Sequence, residues 1–138
     1  MSSENVELVR RLYTTLGGRG SPRDFDQRLT DDALARFFDP QVEWIPVADS
    51  LQAVDRYHGF AGVRRVWSEF VAAWDEYQVE PLEFHEARDR VAVVVHIVGH
   101  TKGLEIDETR SSLLTIRDGL VVRVEAFAAR DGAREAIG

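Results

Sequence analysis

The chain of 138 residues contains no cysteine. Disulfide staples, thiol nucleophiles and thiolate-ligated metals are therefore excluded. Basic residues are outnumbered, 17 against 24 acidic, and the formal charge of −7 opposes binding to a phosphate backbone. No basic run, zinc-ligand spacing or RNA-binding aromatic signature offsets that balance. Apolar runs are short. Nothing approaches the roughly 20 residues that a membrane-spanning helix needs, and the opening "MSSENVELVRRLY" is charged where a signal segment is apolar. Internal repeats and low-complexity tracts are missing too, as are a phosphate-loop glycine spacing and a Gly-x-Ser-x-Gly elbow. What remains, 44% hydrophobic and 30% charged, has the composition of a globular protein. The expectation is one acidic cytoplasmic domain over residues 1–138, with no nucleic-acid or membrane partner.

Two regimes of periodicity divide the chain. Val6, Val9, Tyr13 and Leu16 form a helical stripe, with Ser2 or Ser3 as cap and Gly17 and Gly18 as stop, which predicts a helix over 3–17. "GGRGSPRDFDQ" reads as a polar loop. Thr30 caps a short second helix over 30–37, with Leu34, Phe37 and Phe38 as its apolar face. "DPQVEWIP" turns into a short strand that puts Val42 and Trp44 on one side, and a loop ending "YHG" follows. Val63, Trp67, Phe70 and Trp74 share one face of a third helix, predicted from about Ala61 to Tyr77. Beyond Tyr77 the pattern alternates. "QVEPLEFHEA", "RVAVVVHIVGHTKG", "LEIDETRSSLLTI" and "LVVRVEAFAA" read as strands joined by hairpin turns, and the tail "RDGAREAIG" adds a helical turn. Helices followed by strands predict an α+β fold: a curved antiparallel sheet wrapped like a cone around three N-terminal helices, with a pocket where their apolar faces fail to meet.

The opening "ENVELVRRLYTTL", the "FFDPQVEW" segment, "YHGFAGVRRVW" and the closing "LLTIRDGLVVRVEAF" together resemble the SnoaL-like family of the nuclear transport factor two-like superfamily. The resemblance spans nearly the whole chain and implies a cone-shaped α+β barrel, commonly a homodimer through the outer face of the sheet. It reaches polyketide cyclases, ketosteroid isomerases, dehydratases, epoxide hydrolases and non-catalytic ligand binders, so it implies a fold more narrowly than a chemistry. Tyr13 falls where ketosteroid isomerases carry an oxyanion-hole tyrosine, and it is either that donor or a packed helix tyrosine. The aspartate general base of those isomerases is replaced by Trp44, and the last-strand aspartate of SnoaL-type cyclases by Ala126.

Parity supplies the other candidates. Trp44 and Trp67 point to the pocket, whereas Trp74 reads as core. Val122, Val124 and Ala126 turn toward the pocket, Val124 as a ligand contact, which leaves Arg123, Glu125 and Phe127 on the outer, dimer-forming face. Arg110 and Ser112 share the face of Leu114. Arg110 either holds a carboxylate or enolate oxygen or pairs with Asp107 or Glu108. His96 lies in a run whose two parities are both apolar, so it is either a general base in the pocket or a half-buried residue of the dimer face. His100, after a bend or bulge at Gly99, is a rim residue. About 13 Å separates two strand residues four apart, so the histidines do not form a metal site, and no cofactor is expected. The reading is a binder of a small hydrophobic molecule. The alternative is a cofactor-independent isomerase, cyclase or lyase with His96 as base and Tyr13 or Arg110 stabilising an enolate.

Overall fold

The structure, a computed structural model, describes residues 3–47 and 56–137. Ser2, one of the two expected caps, and positions 48–55 of the expected loop lie outside them. Helix α1 (Glu4–Leu16) begins where Ser3 Oγ accepts the Val6 N–H at 3.0 Å. It buries Leu8, Val9, Leu12, Tyr13 and Leu16 on one side and stops at Gly17, whose N–H donates to the Tyr13 carbonyl.

The stretch expected to be a loop is ordered. Gly18–Gly20 forms an edge strand, β1, and Pro22–Arg28 forms helix α2. Proline at the first helical position and a capping box between Ser21 and Asp24 start this helix. Arg28 then donates to the Gly17 and Arg19 carbonyls and ties the segment to α1. Four helical segments therefore precede the sheet's long strands where three were expected. Helix α3 (Asp31–Ala35) is capped by Thr30 and is shorter than expected, because strand β2 (Phe38–Ile45) already begins at Phe38. After β3 (Tyr57–His58), helix α4 (Gly59–Val71) ends well before Tyr77. Ala72 and Trp74 close a tight turn, and Tyr77 is already paired in the sheet with Gly20 and Gly99.

The hairpin strands are β4 (Glu76–Ala87), β5 (Arg90–Thr101), β6 (Leu104–Arg117) and β7 (Leu120–Phe127). The last turn is Asp118–Gly119, both with φ > 0, as a two-residue hairpin requires. The sheet runs β1-β4-β5-β6-β7-β2-β3 and is open rather than closed. One contact departs from the antiparallel expectation: β2 lies parallel to β7, with Trp44 opposite Val124. Register shifts at Pro81/Glu83 and Thr115/Ile116 bend the sheet around the helices. The second shift corrects the expected orientation of Val122. Val121 takes the inward place, fully buried, and Val122 turns to the convex side. The expected bulge at Gly99 does not occur, since β5 pairs with both neighbours in continuous register there.

The core fills the concave side, where Val91, Val93, Val95, Leu114, Ile116, Val121 and Val124 meet the helices. The convex side is partly covered as well. Helix α5 (Gly132–Ala136) places Ala133 against Ala92 and Leu113, with Phe127 and Ile137 beside them. Ser111 pins this tail: its hydroxyl donates to the Ala129 carbonyl at 2.7 Å and accepts the Ala133 N–H at 2.9 Å. Among the described residues no helix is long and apolar enough to cross a membrane.

Candidate functional site

Between α1, α4 and the concave sheet lies a cavity of about 120 Å³. Five of the residues singled out in the sequence line it: Tyr13 from α1, Trp44 from β2, Trp67 from α4, and Arg110 and Ser112 from β6. Val66, Phe70, Val79, Val95, Ile97, Ala126 and Phe127 add apolar wall. Trp67 is fixed by aromatic contacts on several sides. Phe25 stacks on it at 6.1 Å, and Trp44 and Phe70 meet it edge-on at 6.3 and 6.5 Å. Its indole N–H is buried and has no acceptor among the described residues.

Among the described residues the lining has a buried phenol, Tyr13, a part-buried Ser112 and one charge, Arg110. The Tyr13 hydroxyl is neighboured by the Ser112 side chain. Burial pushes the Tyr13 phenol up to about 12, and the neighbouring Ser112 hydroxyl opposes that rise only in part. At neutral pH Tyr13 is thus an un-ionised hydrogen-bond donor. Arg110 is a third exposed and sits at the mouth, where its Nε and Nη2 both contact Glu108 Oε2, at 2.7 and 2.5 Å. The ion pair weighed against a ligand contact is therefore formed, with Glu108 as the partner.

Two expected site residues are elsewhere. Val95 and Ile97 face the cavity, so strict alternation along β5 sends His96 to the convex side. There His96 Nε2 lies 2.6 Å from Asp107 Oδ1 and opposite Glu80 and Thr109 on the flanking strands. The imidazole is on the wrong side of the sheet to act as a base in the cavity. His100 follows it on the same side and contacts Glu105. Val124 faces inward but is sealed in the core between Leu114 and Trp44, so it does not line the cavity. Among the described residues no group of three or more histidines and carboxylates is arranged to hold a metal ion.

Sequence reasoning did not pick out Val79, Val95, Ile97 and Phe127 as cavity wall. For Val95 and Ile97 the signal was present, as the parity opposite to His96. Phe127 was expected to face outward, and it does pack against the α5 cluster, yet it also reaches the cavity at the strand's end.

A family model of the SnoaL-like domain matches residues 9–124. No curated protein matches the chain by sequence. Among solved structures, TerC co-crystallised with polyporic acid is 22% identical, with 98% of each chain covered and a TM-score of 0.72. A protein described as a SnoaL-like polyketide cyclase from Jannaschia sp. CCS1 is 18% identical, covering 90% of this chain and 84% of that one at a TM-score of 0.69. A nuclear transport factor two-like protein of unknown function from Burkholderia pseudomallei K96243 is 20% identical, covering 99% and 96% at a TM-score of 0.69. At these identities the three structures establish the likeness of fold.

Proposed function

The chain belongs to the SnoaL-like family, and from that premise we propose that it binds a small hydrophobic molecule in the cavity between α1, α4 and the concave sheet. One observation carries this reading: an apolar chamber of about 120 Å³, lined by Trp44 and Trp67 and holding Tyr13 and Ser112 as its inner polar groups. Trp44 and Trp67 supply flat contact surfaces, and Tyr13, Ser112 and Arg110 orient the ligand. Binding is favoured over general-base turnover because, among the described residues, the ionisable groups in the lining are a tyrosine held un-ionised and an arginine, whose guanidinium is not a general base. His96, the base of the alternative reading, is separated from the cavity by the sheet.

Protein-observed NMR with toluene as probe tests the site. Shifts are expected at Trp44, Trp67 and Ile97. Filling the chamber with Ala126→Leu should weaken toluene at least about tenfold, while His96→Ala should leave its affinity within about twofold. Unchanged binding in Ala126→Leu, or its loss in His96→Ala, overturns the reading.

The same reading includes a homodimer through the convex face of the sheet. A cleft there mixes Leu113 and Val122 with Asp39, Glu43, Arg90, Arg123 and Glu125. An apolar centre ringed by both signs of charge suits a two-fold contact, in which each patch meets its own copy. Light scattering at micromolar concentration should give twice the chain mass of 15.6 kDa, and Val122→Arg, at the partly exposed apolar residue of the cleft, should return the monomer. A wild-type monomer refutes the dimer.

A further inference from the structure

The cavity is small, and its polar groups are of one kind. An apolar cavity of roughly 150 Å³ holds benzene, so a space of about 120 Å³ is on the scale of a single ring. Among the described residues that line it there is no side-chain carboxylate. The polar side-chain groups that line it are hydrogen-bond donors or donor-capable hydroxyls. The Trp67 N–H is without an acceptor among the described residues. The Tyr13 and Ser112 hydroxyls stand in the same lining, and each can donate. Ser111 also borders the cavity, but its hydroxyl is committed to the tail.

Arg110 adds position to this inventory. Glu108 takes its Nε and Nη2 through a single oxygen, so Nη1 keeps two N–H groups with no partner among the described residues. Glu108 is 44% exposed, and a solvated carboxylate holds an arginine weakly. The guanidinium therefore stands at the mouth of a one-ring apolar chamber with donors available for a second oxyanion.

We infer that the ligand is a one-ring aromatic carboxylate, with its ring in the chamber and its carboxylate at the mouth on Arg110. This rests on the cavity being the binding site, as proposed above. The ring replaces water against Trp44, Trp67, Val95 and Ile97, and the charged end stays at the solvent boundary, where it is not stripped of all its water. An amine in the same place would meet the like charge of Arg110.

Benzoate, its uncharged isostere nitrobenzene, and toluene test the inference on the full chain by protein-observed NMR at low salt. Benzoate is expected to bind at least about fivefold more tightly than nitrobenzene. Arg110→Gln should reduce that preference to within about twofold. Glu108→Gln, which removes the competing carboxylate, should strengthen benzoate alone. If toluene and nitrobenzene bind in the cavity but benzoate is no tighter, or if the preference survives in Arg110→Gln, the carboxylate inference falls and the binding site stands. If none of the three binds, both fall together.

Discussion

A chain carrying Gly99→Ala is expected to unfold about 3 kcal/mol more readily than wild type, at the upper end of what overpacking one methyl group costs. Gly99 sits in the middle of paired backbone, opposite Tyr77 on β4 and Ile106 on β6. A Cβ there would lie 2.5 to 2.9 Å from three atoms of the Trp74 indole. Neither side has room to give. The strand is held by both neighbours, and Trp74 is held in the turn after α4 by its N–H to Val71 and by the following Asp75 N–H to the His100 carbonyl. Alanine's better fit to extended backbone recovers only about 0.5–1 kcal/mol. If the clash is the cause, shrinking the ring should remove it. Gly99→Ala placed in a Trp74→Leu background should then cost at least about 1 kcal/mol less than in wild type. Urea midpoints of the four chains measure this, and strictly additive losses would refute the ring contact as the origin.

This contact also explains how far the sequence could be read. Trp74 continues the four-three-four spacing of Val63, Trp67 and Phe70, so periodicity extended the third helix through it. In the structure Trp74 reaches the same core from a turn, because a large ring can bridge the step between helix end and strand. Long elements with a clear period were legible: α1, the body of α4 and all four hairpin strands. The segment Gly18–Gly20 was not, since three residues cannot display an alternation and their pairing with Tyr77–Val79 is a long-range contact. The parallel contact of β2 with β7 is non-local in the same way.

Within the site, parity succeeded where one face of a strand is buried and failed where both are. Arg110 and Ser112 were placed by Leu114, and Trp44 by Val42, because each of these strands has one apolar parity near the site. On β5 the convex parity is apolar too, and α5 is the reason: Ala133 packs on Ala92, and Ser111 fastens the tail over the neighbouring strand. A buried second face makes Ala92 and Val94 look like core and conceals which way His96 points. Val122 was misplaced for a different cause. One extra residue in a bulge inverts every inference made on its far side unless the bulge itself is seen.

Tyr13 gives the alkaline limb of stability its expected shape. Its phenol ionises near 10 in the unfolded chain and near 12 in the folded protein, where burial opposes the charge. The folded state therefore holds the proton more tightly, and the sign follows. The contribution is complete below pH 10, declines as the unfolded phenol ionises, and is lost by the time the pH passes 12. Two units correspond to about 2.7 kcal/mol. Tyr13→Phe should lack this decline, so the wild-type advantage over the variant should shrink by on the order of 2–3 kcal/mol between pH 9.5 and 12. Burial also raises the Tyr77 phenol, but Tyr77 is present in both chains and cancels in the difference. Urea unfolding across that range decides the point, and parallel curves for the two chains would show that Tyr13 is not buried as a neutral phenol. Ligand affinity carries the same signature. With Tyr13 un-ionised and His96 outside the cavity, toluene affinity should be flat from pH 6 to 9. A step near the ordinary histidine range of about 6.5 would mean that an imidazole reaches the ligand after all.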